Sequence, residues 1–228
     1  MTISTCVFDA YGTLFDVAAA AREAASEPEF SELSDTWMQV AETWRQKQLQ
    51  YTWLRAAGGV HTDFWKVTCD GLDYALETHA LGRRELRERL LQLYWELSAY
   101  PEVPGMLAAL KHDGMRTAIL SNGSPAMLNG AVESAGIGDV LDAVISVETV
   151  GVFKPAKSVY DLIGHHFGVP QGDVLFVSSN CWDACFAAAQ GFTVAWANRK
   201  GEPMDRLAFQ PHHVVADLTG IPAIASAS

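Results

Sequence analysis

Six short runs of apolar, often β-branched residues constrain the fold of this chain more than any other feature. They lie at 5–8, 116–120, 143–146, 173–177, 193–196 and 213–215. Runs of this kind are typical of central strands in a parallel sheet, because both faces of such strands are buried. Helical patterns separate the later runs, at 104–113, 125–135, 157–167 and 182–190. The alternation predicts an α/β fold with a doubly wound, Rossmann-like parallel sheet and right-handed crossovers.

Residues 16–97 break this alternation, because they contain long amphipathic patterns and no convincing strand. Apolar and amide side chains recur at a spacing near 3.6 from Trp37 through Trp44 to Tyr51, and further helical patterns cover 64–76 and 83–97. We read the tryptophans here as packing residues. The sequence therefore predicts a Rossmann-like core of residues 1–15 and 98–228, with a helical cap of residues 16–97 inserted after the first strand.

The charge balance limits the possible partners. The chain has 16 Lys and Arg against 27 Asp and Glu, a formal net charge of −11. This excess of acidic residues opposes binding to phosphate backbones and anionic lipids. No apolar run approaches the roughly 18 residues that a membrane span needs. We therefore expect a cytoplasmic protein that binds neither nucleic acid nor membrane.

Polar side chains follow four of the predicted strands. Asp9 ends the first, Ser121 and Asn122 follow the second, Lys154 comes a short loop after the third, and residues 178–183 follow the fourth. In an open α/β sheet, ligands bind beyond the carboxyl ends of the strands. We therefore expect these groups to converge on one edge of the sheet.

Asp9, Lys154 and Asp183 form a chemically reasonable set. A lysine between two carboxylates keeps them ionised, because an opposite charge favours the charged form. Asp9 could then act as a nucleophile, with Thr13 and Ser178 holding its oxygens or the lysine. The alternative is a buried ion-pair network without a reaction, which is costly to build for structural purposes alone.

Five segments of the sequence resemble the type II L-2-haloacid dehalogenases of the haloacid dehalogenase superfamily. They are FDAYGTLFD at 8–16, WRQKQL at 44–49, LSNG at 120–123, KP at 154–155 followed by Tyr160, and VSSNCWDA at 177–184. The DxxGT element and the lysine are features of the whole superfamily. Arg45, Tyr160 and the SSNxWD run narrow the resemblance to the dehalogenases.

The resemblance implies a two-step hydrolysis that begins at Asp9. Its carboxylate would attack C2 of a short-chain L-2-haloacid and form an ester with inversion. The Ser121 hydroxyl and the Asn122 backbone N–H would bind the substrate carboxylate at a helix start. Arg45 and the Asn122 side chain would stabilise the departing halide.

The same resemblance assigns the second step and the remaining contacts. Asp183 would activate the water that hydrolyses the ester, with Asn180 and Lys154 positioning it, and Tyr160 and Ser178 would orient Lys154. The product would be a D-2-hydroxy acid. The resemblance implies no cofactor and no metal, and it suggests a homodimer. The expected substrate-binding residues are Tyr11, Gln46, Leu49, Phe64 and Trp182.

Tyr11 favours dehalogenation over the magnesium-dependent phosphatase or phosphonate hydrolase activity of other superfamily members. Phosphatases place an acid two positions after the nucleophile, where it protonates the leaving alkoxide, whereas halide leaves unprotonated. A phosphate dianion facing Asp9 would also need a metal to offset its charge. A non-catalytic binding module is a third alternative, disfavoured by Asp9, Lys154 and Asp183. One departure from the family pattern is a set of larger side chains near Asp183: Cys181, Cys185 and Phe186.

Overall fold

The computed structural model describes residues 2–227 and contains one six-stranded parallel sheet. Its strand order is β3-β2-β1-β4-β5-β6. The strands are β1 (Thr5–Phe8), β2 (Arg116–Ser121), β3 (Ala143–Ser146), β4 (Val174–Ser178), β5 (Thr193–Ala197) and β6 (His213–Val215). The order places β1 at the centre, hydrogen-bonded to β2 on one side and β4 on the other. The predicted α/β fold class is confirmed.

Helices alternate with the strands from β2 to β5. Four helices precede that alternation: α1 (Ala19–Ser26), α2 (Trp37–Gly58), α3 (Phe64–Thr78) and α4 (Arg84–Trp95). Five more belong to the layers around the sheet: α5 (Val103–His112), α6 (Pro125–Ala135), α7 (Lys157–Phe167), α8 (Cys181–Ala189) and α9 (Ile221–Ala227). The sequence patterns placed most of these elements within a residue or two, while α1 and α9 were not anticipated individually.

The first strand, β1, is short but completely buried. All four residues of β1 are buried, as are all five of β4. A strand buried on both faces belongs to the middle of a parallel sheet. The strand order reverses between β1 and β4, which are neighbours in the sheet, and crevices at such reversal points bind ligands. The loops after β1 and β4 are therefore placed to form a site.

Residues 16–97, all of which the structure describes, contribute no strand to the sheet. We call this stretch the helical segment. Within it, α2 packs along α3, and the indole of Trp44 donates to the carbonyl of Thr68 at 2.8 Å. The Trp44 ring lies 4.8 Å from that of Tyr94 on α4. These contacts agree with the reading of the tryptophans as packing residues. The boundaries of a separate cap domain stay a prediction.

Among residues 2–227, no helix combines the length and the apolar character that a membrane span requires.

Candidate active site

A buried lysine joins two carboxylates at the carboxyl edge of the sheet. The Nζ of Lys154 lies 3.0 Å from Asp9 Oδ1 and 2.9 Å from Asp183 Oδ2. The side chains of Lys154 and Asp183 are 1% and 0% exposed. Asp9 follows β1, Asp183 lies in the first turn of α8, and Lys154 lies in the loop between β3 and α7. The fold thus unites three charges that are far apart in the chain.

Burial and charge oppose each other in this cluster. Burial acts to lower the pKa of Lys154, but the carboxylates of Asp183 and Asp9 outweigh it and raise that pKa above its ordinary value. Burial raises the pKa of Asp183, while Lys154 and the Tyr160 hydroxyl act to lower it. The lysine therefore stays protonated at neutral pH, and Asp183 is a better proton acceptor than an exposed aspartate.

The second oxygen of Asp9 is also held. Its Oδ2 accepts from Thr13 Oγ1 and from Asn180 Nδ2, each at 3.0 Å. Thr13 can reach back to Asp9 because Gly12 between them adopts a φ of +90°, a value that favours glycine. Both oxygens of the carboxylate therefore have fixed partners, which orients Asp9 for attack on a neighbouring atom.

Arg45 brings a second positive charge to the site from α2. Its Nη2 donates to the carbonyl oxygen of Tyr11 at 3.0 Å and to Asn180 Oδ1 at 3.2 Å. Asn180 thus accepts from the guanidinium through its oxygen and donates to Asp9 through its nitrogen. Together with Asp9, Lys154 and Asp183, Arg45 brings the formal charge of the site to zero, so that a monoanion can be accommodated.

Ser121 and Asn122 lie at the end of β2, before α6. The Ser121 Oγ accepts from the Gly123 backbone N–H at 3.0 Å, and Asn122 Oδ1 accepts from the Lys154 backbone N–H at 2.9 Å. The latter bond fixes the Asn122 amide and leaves its NH₂ group for other partners. Gly123 packs against the ring of Tyr11, since a Cβ there would lie 2.8 Å from Tyr11 Cε2.

Two contacts differ from those that the resemblance implied. The Tyr160 hydroxyl donates to Asp183 Oδ1 at 2.7 Å, so it acts on Lys154 only through Asp183. The Ser178 Oγ accepts from the Asn180 backbone N–H at 3.2 Å and orients that loop. Neither hydroxyl has a hydrogen bond to Lys154 in the part of the chain that the structure describes.

A small enclosed pocket lies against Asp9. Its cavity volume is about 10 Å³, room for about one water molecule. A larger ligand therefore needs the lining side chains, or the helical segment and the sheet, to move apart. We call this space the active-site pocket; it is lined by Asp9, Tyr11, Arg45, Leu49, Phe64, Ser121, Asn122, Lys154, Asn180 and Trp182.

Gln46 is the predicted substrate-binding residue that the fold does not bring to this pocket. It is exposed, and its Nε2 donates to Glu42 Oε1 at 2.9 Å. It borders a wider surface cavity of about 360 Å³, which also reaches Arg45 and Leu49. Gln46 thus lies beside an approach to the site and not against Asp9.

Two residues to which the sequence analysis gave no role support the site. The ring of Tyr94 stacks on that of Tyr11, with centroids 5.6 Å apart, and its hydroxyl donates to the buried Gln48 at 3.4 Å. Ser179 donates its backbone N–H to Thr13 Oγ1 at 2.8 Å. Tyr94 lies in the helical pattern predicted for 83–97, but nothing in the sequence indicated which ring it would contact.

An aspartate held beside a lysine, at the centre of a parallel sheet and facing a helical segment, is an arrangement that suits an α/β hydrolase with a carboxylate nucleophile. A family profile described as haloacid dehalogenase-like hydrolase matches residues 3–191. The chain belongs to the haloacid dehalogenase-like hydrolase family.

Within that family, the chain is similar to several (S)-2-haloacid dehalogenases. The chain is 40% identical to (S)-2-haloacid dehalogenase 1 of Pseudomonas sp. (strain CBS-3) over 97% of its own length and 96% of the relative. It is 45% identical to (S)-2-haloacid dehalogenase of Xanthobacter autotrophicus over 85% of its length and 74% of the relative. A structure of L-2-haloacid dehalogenase from X. autotrophicus with covalently bound chloropropionic acid has a TM-score of 0.88 at 36% identity, covering 98% of each chain. The predicted family membership is confirmed.

Proposed function

We propose that this protein is an (S)-2-haloacid dehalogenase, which converts short-chain L-2-haloalkanoic acids to D-2-hydroxy acids through an ester on Asp9. The proposal rests on the fixed contacts of the Asp9 carboxylate. Lys154, Thr13 and Asn180 hold it at 3.0 Å each inside a pocket that also contains Arg45. A carboxylate with fixed orientation beside two cations can bind an anionic acid and attack its carbon.

In the first step, an oxygen of Asp9 attacks C2 from the side opposite the halogen. The new C–O bond forms as the carbon–halogen bond breaks, and the halide leaves with the bonding electrons. The guanidinium of Arg45 and the NH₂ group of Asn122 stabilise the charge that develops on the halide. The Ser121 hydroxyl and the Asn122 backbone N–H hold the substrate carboxylate, which the start of α6 favours electrostatically.

In the second step, water attacks the Asp9 carbonyl carbon. Asp183 accepts a proton from the water, and its raised pKa suits that role. The proton then passes to the leaving oxygen of the hydroxy acid as the ester bond breaks. Asp9 is released as a carboxylic acid and loses its proton to solvent, which restores the starting state. Lys154 and Asn180 position the ester and the water.

Tyr11 supports dehalogenation and disfavours phosphoryl transfer. Burial raises the pKa of its hydroxyl well above the ordinary value, so that it is a poor proton donor to a leaving alkoxide. Halide needs no such donor. With its backbone carbonyl bound to Arg45, Tyr11 instead provides an apolar wall together with Leu49, Phe64 and Trp182. That wall suits a short alkyl substituent on C2.

The remaining proposals concern the surroundings of the reaction. We assign the helical segment as the cap that closes over the substrate, because Arg45, Leu49 and Phe64 come from it. The family resemblance supports a homodimer, and we propose a cytoplasmic location for it. The net charge of −11 argues against nucleic acid as a partner.

Halide release from the two enantiomers of 2-chloropropionate tests this function. We expect the (S) enantiomer to release chloride and give (R)-lactate, in the presence of excess EDTA. A single turnover in ¹⁸O-labelled water should give a first product without label, because its new oxygen comes from Asp9. Immediate label in the product, or activity that requires a divalent ion and releases phosphate from esters, would overturn the proposal.

A further inference from the structure

An apolar cleft of about 340 Å³ borders Trp182, which also lines the active-site pocket. Every residue that lines it is apolar, so the cleft offers no partner to a charged or strongly polar ligand. We call it the outer cleft; it is lined by Trp53, Ala56, Pro155, Trp182, Phe186 and Leu207.

The outer cleft continues the active-site pocket along three chain segments. On α2, Leu49 of the pocket and Trp53 of the cleft are four residues apart, and on α8 Trp182 and Phe186 have the same spacing. Residues four apart are neighbours on one helix face, about one turn along the axis. The third segment is the Lys154–Pro155 pair. The cleft therefore begins about one helical turn beyond the pocket.

Trp182 alone borders both spaces, and packing rather than hydrogen bonding holds it there. Its ring meets that of Trp53 edge to face, with centroids 5.4 Å apart. Its indole Nε1 is buried and has no hydrogen-bond partner within residues 2–227. A change of its side-chain rotamer would therefore break no hydrogen bond of the indole.

The cleft also leaves large apolar side chains in contact with solvent. Trp53 is 40% exposed, Phe186 36% and Leu207 39%. Exposed apolar side chains that cluster in this way mark a binding surface more often than single exposed apolar residues do. Phe186 also stands where the sequence analysis expected a smaller residue.

We propose that the outer cleft binds the C2 substituent of longer, unbranched 2-haloalkanoic acids, a specificity that rests on the proposed dehalogenase function. The substrate carboxylate stays at Ser121 and Asn122, and C2 stays beside Asp9. The alkyl chain passes Leu49 and displaced Trp182 and ends among Trp53, Phe186 and Leu207. Each methylene buried there favours binding by about threefold to fourfold.

A comparison of two substrates tests this inference. We would measure kcat/KM for (S)-2-bromopropionate and (S)-2-bromooctanoate with the wild type and with Phe186→Asp and Leu207→Asp. Both cleft variants should lose at least about tenfold on the octanoate and keep the propionate within about twofold. Leu54→Asp is the matched control, because Leu54 is 59% exposed on the same helix as Trp53 but lies outside the cleft. It should leave both values unchanged.

The possible outcomes separate this inference from the function on which it rests. Release of bromide from the propionate but not from the octanoate by the wild type would overturn the inference and leave the function intact. Equal losses on both substrates in the cleft variants would also overturn it. So would an unchanged chain-length preference combined with an altered sedimentation coefficient, because the face would then join copies of the chain. No release from either acid would overturn the function itself, and the inference with it.

Discussion

The two sides of the active site are built in different ways. On the sheet side, Asp9, Lys154 and Asp183 are buried and bind one another or side chains of the same half of the molecule. On the helical side, Arg45 is half-buried, and its bonds to Tyr11 and Asn180 both cross to the sheet side. The sheet therefore holds the nucleophile without help from the helical segment, whereas the cation for the halide is in place only when the two parts meet.

The strongest test of this contrast removes the nucleophile while keeping its shape. Asp9→Asn retains an oxygen that can accept from Lys154, but it lacks the charge that attacks C2. Halide release should fall on the order of 10⁴-fold or more. Circular dichroism and thermal unfolding should show a folded protein. A variant that keeps more than a tenth of the wild-type rate would contradict the assignment of Asp9.

A smaller loss is expected on the helical side. Arg45→Ala should lower the rate of the first chemical step by about 10²- to 10³-fold, because it removes one fixed donor to a developing charge. The free energy of unfolding should change by less than about 1 kcal/mol, because the half-buried guanidinium is not part of the core. Single-turnover halide release and urea unfolding measure the two quantities.

Lys47→Ala is the matched control for Arg45. Lys47 lies two residues further along α2, where it donates to Gln50 at 2.8 Å and lies over the Tyr74 ring. Its loss should leave halide release within about twofold, because residues two apart on a helix do not share a face. If Lys47→Ala and Arg45→Ala lowered halide release equally, the overall positive charge of the helical side would account for the effect, and not the guanidinium of Arg45 alone.

The smallest effect concerns stability at alkaline pH. The pKa of Lys154 in the folded protein lies above its ordinary 10.5, so the folded chain holds this proton more tightly than the unfolded chain. The stability that this difference provides is complete below the ordinary pKa and is lost as pH rises through the folded value. Urea unfolding of the wild type between pH 9 and 12 should therefore show a decline that is weaker in Lys154→Met. Parallel curves would show that the buried pair does not stabilise the fold.

Much of the sheet side could be predicted from the sequence. Central strands of a parallel sheet are apolar throughout, so the runs at 5–8 and 143–146 matched β1 and β3 in full. The site groups then followed from a general rule, because parallel strands end at one edge. This reasoning placed Asp9 and the residues after β4 together before any contact was known.

The helical side was harder to predict, because helix spacing gives a face but not what that face contacts. Leu49 lies four residues after Arg45 and shares its face, which agrees with its place in the pocket. Gln46 follows Arg45 directly and therefore lies on a different face of the helix. By helix spacing, its predicted substrate contact had less support than that of Leu49. The two bonds of Asn180 depend on how α2 packs against the loop after β4, which spacing alone does not specify.

The central position of β1 affects how the enzyme is made. Of the six strands of the sheet, β1 comes earliest in the chain, but its neighbours begin only at Arg116 and Val174. The strand that precedes Asp9 therefore has no neighbour until the helical segment and β2 have been synthesised, and it gains its second neighbour only with β4. A nascent chain that ends before β4 lacks Asn180 and Asp183. The site around Asp9 is therefore complete only after β4 and the start of α8 have been synthesised.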